Sequence, residues 1–159
     1  MPAEIATTTA APQRNRAVLY GGLVAGAMDL VAAIAINAMR GIEPVRIMQS
    51  ISSGLLGNSA YEHGAASASL GVLLHFLMMF VICAIYYVAS RRLAILTERP
   101  IIMGVLYGVL VYLVMNFVVL PLSAFPHQLA YTPAAFTIGM TTIVVCVGLP
   151  IALIVKRFS

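Results

Sequence analysis

Two ionisable side chains inside long apolar runs are the residues of this chain best suited to chemistry. Asp29 is the single formal charge of the stretch 17–39, and His75 lies near the middle of the apolar stretch 67–89. An ionised aspartate at the centre of a membrane-spanning helix costs about 2.5–3.5 kcal/mol on insertion scales. Asp29 is therefore expected to face protein, because lipid cannot solvate it.

The residues around Asp29 predict a close helix contact. On a helix with 3.6 residues per turn, one stripe of the first stretch carries Gly22, Gly26, Asp29, Ala33 and Asn37. Glycine and alanine let a second helix approach closely within a membrane. The stripe is therefore predicted to be the buried seam of a helical bundle.

Two asparagines extend the possible site. Asn37 and Asn116 fall near the same ends of their stretches, so packing of the first three spans would join them to Asp29 and His75 in one polar patch. Intramembrane ionisable residues are pointers to proton relays and polar-ligand sites. The alternative is an Asp–His contact that only fixes helix register. The register interpretation is favoured, since the apolar runs hold only one acid and one histidine.

Other chemistry finds little support in the sequence. A haem usually needs two axial ligands, and the apolar stretches offer only His75. The nine methionines form no MxxM-type run that would indicate copper. No strained serine elbow or glycine-rich phosphate loop is present in the sequence. We expect no metal and no cofactor, and the sequence favours a non-enzymatic protein.

Composition indicates a membrane protein. Hydrophobic residues make up 62% of the 159-residue chain and charged residues 9%, against about a quarter charged in soluble domains. The predicted fold is an all-α integral membrane four-helix bundle with spans at 17–39, 67–89, 101–120 and 134–155. A disordered tail is predicted at 1–16 and a short amphipathic interfacial helix at 44–56.

Within the predicted interfacial helix, apolar side chains share one face. Val45, Met48, Ile51 and Leu55 lie on that face, while Arg46, Gln49 and Ser53 point elsewhere. Pro121 is predicted to stop the third span, and Pro150 to free the Cys146 carbonyl and kink the fourth. Cys146 and Cys83 are expected to be small core residues.

The positions of the basic residues predict the orientation. Seven of the nine lie on the side that holds both chain termini, and two lie on the other, namely Arg14, Arg16, Arg91, Arg92, Arg99, Lys156 and Arg157 against Arg40 and Arg46. Lys and Arg are enriched in cytoplasmic segments. We therefore expect cytoplasmic termini in a bacterial inner membrane, and no nucleic-acid partner.

Small-residue pairs suggest a function through association. Gly22/Gly26, Gly104/Gly108 and Ser67/Gly71 offer more close-packing surface than four helices need. The favoured prediction is a self-associating or accessory membrane component whose partners are lipids, a second copy or a larger complex. The alternative is a minimal oligomeric transporter or proton-linked binding protein that uses Asp29 and His75.

The order of these features resembles the YagU-like family of uncharacterised bacterial inner-membrane proteins. A first span with GxxxG precedes a span with a histidine in its first half (Gly71 to Tyr87), then Gly104-xxx-Gly108, Asn116 and Pro121-Leu122. The chain departs from the family in segment 42–66 and in its short C-terminus. The resemblance implies a small inner-membrane protein and supplies no catalytic residues.

Overall fold

The described part of the chain is entirely helical apart from short links. The computed structural model describes residues 10–126 and 132–159, with side chains from residue 15 onward. Their six helices are α1 (Ala10–Ala38), α2 (Pro44–Leu56), α3 (Gly64–Ser90), α4 (Ile95–Glu98), α5 (Pro100–Leu122) and α6 (Pro133–Arg157). Four of them, α1, α3, α5 and α6, are long and apolar enough to cross a membrane. The chain is an all-α helical bundle of the multi-pass membrane type.

One predicted boundary is wrong. Helix α1 begins at Ala10, so residues 10–16, predicted to belong to a disordered tail, are helical. Pro12 is tolerated because it falls in the first turn of the helix, where backbone N–H groups have no intrahelical partner. Residues 1–9 lie outside the described residues, as do 127–131 of the predicted proline loop.

The four long helices alternate in direction and give the bundle two halves. The termini half contains the start of α1, the end of α3, helix α4, the start of α5 and the end of α6. The α2 half contains the opposite ends together with α2. Helix α1 packs between α3 and α6, and α6 packs against α5.

The termini half holds the apolar core. Val147, Ile151 and Val155 of α6 recur every four residues on one face and are completely buried. Tyrosines close the remaining side of the bundle between α3 and α5. The Tyr107 hydroxyl donates to the Ile82 carbonyl at 2.7 Å, and the Tyr86 and Tyr107 rings meet with centroids 4.8 Å apart.

Glycines set the distance between neighbouring helices. A Cβ on Gly148 of α6 would collide with the Gly104 carbonyl oxygen of α5, and it would lie 2.8 Å from the Gly108 Cα. The rings of Phe80 and Phe76 of α3 occupy the space beside Gly22 and Gly26 of α1. Backbones therefore touch between α5 and α6, whereas aromatic rings fill the glycine positions between α1 and α3.

The side of α2 that packs against α3 is not its apolar face. Met48 is buried, but Val45 and Leu55 are 50% and 63% exposed. The buried set instead includes two polar residues assigned to the other face, and consists of Ile47, Met48, Gln49, Ser52 and Ser53. Gly71 of α3 lies directly against the Met48 backbone. Small side chains face α3 because larger ones would not fit at this separation.

Two π-helical segments interrupt the long helices of the second half of the chain. Met115–Val119 and Val144–Gly148 each precede a Leu-Pro pair, Leu120-Pro121 and Leu149-Pro150. Proline has no N–H for the carbonyl four residues earlier, and its ring crowds that carbonyl. The wider π turn relieves the crowding. The disturbance predicted at Cys146 takes this form, while α5 ends one residue after Pro121.

Candidate functional site

Asp29 lies on α1 within electrostatic range of side chains on two other helices. Its side chain is half-buried on α1, and its carboxyl is close enough to interact electrostatically with His75 of α3 and with Cys146 of α6. Both partners belong to helices that pack against α1. The carboxyl is therefore within electrostatic range of both helices while the side chain keeps part of its surface accessible.

His75 is held in place by the backbone of α1. The ring is only 7% exposed, and Nε2 lies 2.9 Å from the Gly26 carbonyl oxygen. Because a carbonyl only accepts, Nε2 must carry the hydrogen, and in the neutral ring Nδ1 is then free of hydrogen. The ring also meets Phe76 edge-on, with centroids 5.5 Å apart. A second proton on this ring would enter at Nδ1 without breaking the bond to Gly26.

Asp29 and His75 interact without direct contact. No hydrogen bond or ion pair joins the two side chains, and the Asp29 carboxyl accepts no hydrogen bond from any residue that the structure describes. Gly26, which accepts from His75, precedes Asp29 by three residues, less than one helical turn. The two groups thus share one level of the bundle and are separated by a gap.

The two asparagines each bond within their own helix. The Asn37 amide donates to the Ala33 carbonyl at 2.8 Å, and the Asn116 amide donates to the Tyr112 carbonyl at 2.9 Å. Asn116 also belongs to the first π segment. The structure joins Asp29 to His75 electrostatically, and the inclusion of both asparagines in one patch stays a prediction.

The predicted helix-packing glycines all lie at helix contacts. Gly22 and Gly26 meet α3, and Gly104 and Gly108 meet α6. Gly71, by contrast, contacts the short helix α2. The small-residue faces are therefore used inside one chain.

Cys146 is the neighbour of Asp29 that sequence reasoning missed. It was expected to be a core residue, and it is half-buried beside the carboxyl. Its position four residues before Pro150, within the second π segment, was the available signal, because π segments often mark functional sites. Cys83 is fully buried, and both thiols are free.

The described residues bring together no group of three or more His, Cys, Asp and Glu side chains that could hold a metal ion. No known family model, curated protein or solved structure matches the chain. The resemblance to the YagU-like family therefore stays a prediction, and the functional argument depends on the geometry of this chain.

Proposed function

We propose that the protein is a proton-linked membrane protein that binds or transports a small polar solute, with Asp29 and His75 as its ionisable pair. The observation that carries this proposal is a half-buried Asp29 carboxyl, in electrostatic range of His75 and free of hydrogen bonds to described residues. A residue that only fixed helix register would be expected to bond directly to its partner.

The bonding of His75 supports a role for the pair in proton exchange. One ring nitrogen donates to the Gly26 carbonyl, which orients the ring and leaves the lone pair of Nδ1 available in the neutral ring. The same helix supplies both the carbonyl and the carboxylate. A proton can therefore be exchanged near Asp29 while the link between α1 and α3 stays intact.

The competing self-association proposal loses its stated basis. It depended on small-residue faces that would remain uncovered after the chain folds. In the structure, Phe80, Phe76, the α6 backbone and Met48 cover the glycines of those faces. Self-association through another surface stays a prediction. Four spans are few for a solitary transporter, so the transport version also requires an oligomer.

The location is part of the same proposal. Seven of nine basic residues lie on the side of the two termini, which supports cytoplasmic termini in a bacterial inner membrane. Membership in the YagU-like family fits this location. Lipids are the expected surroundings of the four long apolar helices.

Proton flux into reconstituted vesicles tests the proposal. The full chain is inserted into liposomes loaded with a pH-sensitive dye, and a pH gradient is imposed under a clamped membrane potential. We expect proton flux above that of empty vesicles, abolished by Asp29→Asn and reduced by His75→Gln. Glu43→Gln is the matched control, because Glu43 is an exposed acid in the link before α2.

The infrared carbonyl band of a protonated carboxyl provides a second readout that needs no known solute. Asp29 is the only acid within the four long helices that can span a membrane. A band that changes with pH in the wild type and is absent in Asp29→Asn supports the proposal. Flux equal to that of empty vesicles, together with a band that does not change between about pH 5 and 8, would overturn it.

A further inference from the structure

A small cleft opens in the α2 half, apart from the Asp29–His75 pair. It lies between the end of α1, the first two turns of α2 and the 3₁₀ turn Gly57–Tyr61. Its volume is about 250 Å³, and its walls are Asn37, Ile42, Arg46, Ile47, Ser50 and Tyr61. We name it the Arg46 cleft.

Arg46, an exposed residue, brings a positive charge that lies over the ring of Tyr61. The guanidinium carbon lies 4.3 Å from the centroid of the Tyr61 ring, the geometry of a cation–π contact. Glu43 precedes Arg46 by three residues and Glu62 follows Tyr61 directly, but neither forms an ion pair with Arg46. The guanidinium therefore keeps its fork of N–H donors without a carboxylate partner in the described chain.

Two further polar side chains line the cleft beside this charge. The Asn37 amide gives one hydrogen to the Ala33 carbonyl, so its second N–H remains. Ser50 adds a hydroxyl, which can donate or accept. Ile42 and Ile47 supply apolar walls that reduce the competition from water.

We propose that the Arg46 cleft binds a phosphate group. A guanidinium matches the oxygens of a phosphate or carboxylate through two parallel hydrogen bonds. The additional donors on Ser50 and Asn37 favour phosphate, because a phosphate group has a third acceptor oxygen beyond the two that face the guanidinium. The phosphate comes either from the headgroup of an anionic phospholipid or from free phosphate. This site requires neither Asp29 nor His75, so either proposal can fail alone.

Binding to the purified full chain separates the two sources. In the first arm, inorganic phosphate is titrated onto the protein in nanodiscs of phosphatidylcholine and followed by phosphorus NMR. In the second arm, native mass spectrometry counts phosphatidylglycerol retained from an equal mixture with phosphatidylcholine. Arg46→Gln is the test variant, and Arg40→Gln is the matched control, since Arg40 is an exposed arginine in the link before α2 and does not line the cleft.

The expected result is selective binding in one arm that Arg46→Gln weakens about 10- to 100-fold and Arg40→Gln leaves unchanged. Arg46→Lys keeps the charge without the fork and is expected to bind with intermediate strength. Thermal midpoints in detergent check that each variant is folded, and Ser50→Ala provides an independent test if Arg46→Gln is not. Binding in neither arm, or equal loss in Arg46→Gln and Arg40→Gln, overturns the proposal.

Discussion

The two halves of the bundle are built on different principles. In the termini half, α6 buries Val147, Ile151 and Val155, and its backbone touches that of α5 at Gly148. In the α2 half the buried residues include Gln49, Ser52 and Ser53, and the ionisable pair lies at its inner boundary. Close apolar packing stabilises one half, while the other holds the polar groups of the two proposed sites.

The largest expected effect comes from adding a methyl group at the tightest contact of the termini half. Gly148→Ala places a Cβ against the Gly104 carbonyl and 2.7 Å from the Gly108 nitrogen. Because backbone atoms cannot rotate away, the helices must separate. We expect a loss near or above 3 kcal/mol, the upper end of the overpacking range. Thermal unfolding in detergent measures it.

Gly54→Ala is the matched control in the α2 half. Its Cβ would lie 3.8 Å from Ser123, an ordinary van der Waals distance. The substitution is expected to be neutral or to stabilise the protein by about 0.4–1 kcal/mol, because alanine restricts the unfolded chain. Equal destabilisation by both variants would contradict the contrast between the halves.

The second effect tests the side of α2 that packs against α3. Ser52 is completely buried, so Ser52→Leu should force α2 away from α3 and cost about 1–3 kcal/mol. The control is Leu55→Met at a position that is 63% exposed, where little change is expected. The same thermal measurement applies, and tolerance of leucine at position 52 would contradict the close contact between this side of α2 and α3.

The smallest effect concerns the tyrosine bridge in the termini half. Tyr107→Phe removes the hydroxyl that donates to the Ile82 carbonyl between α5 and α3. Interhelical hydrogen bonds in membranes average about 0.6 kcal/mol, so a small fall in stability is expected. Tyr20→Phe is the control, because the half-exposed Tyr20 ring stacks on Phe158 through its face and not through its hydroxyl. A fall of the same size in both variants would show that the Tyr107–Ile82 hydrogen bond makes no specific contribution to stability.

The sequence predicts well the features that depend on a single helix. Spans follow from the length of each apolar run, since crossing a bilayer needs about 20 residues. The interior side of α3 follows from Ser67, Gly71 and His75 at intervals of four residues, and all three are buried. Both features depend only on residues within one helix, so the amino-acid sequence of that helix is enough to predict them.

Features that depend on two helices are predicted less well. The apolar periodicity of α2 does not identify the side that packs against α3, because the close approach at Gly71 selects small side chains over large apolar ones. The proximity of Cys146 to Asp29 depends on how α6 packs against α1, which spacing along the chain does not encode. The π segments are an intermediate case, since Leu-Pro marks both.

A double-mutant cycle between Asp29 and His75 tests the central claim most directly. Thermal stability in detergent is measured for the wild type, Asp29→Asn, His75→Gln and the double variant. If the two side chains interact inside the bundle, the effects are non-additive by at least about 0.5 kcal/mol. Pairing Asp29→Asn with Tyr107→Phe provides the additive reference. Additivity of Asp29→Asn and His75→Gln within the error of that reference would contradict the account.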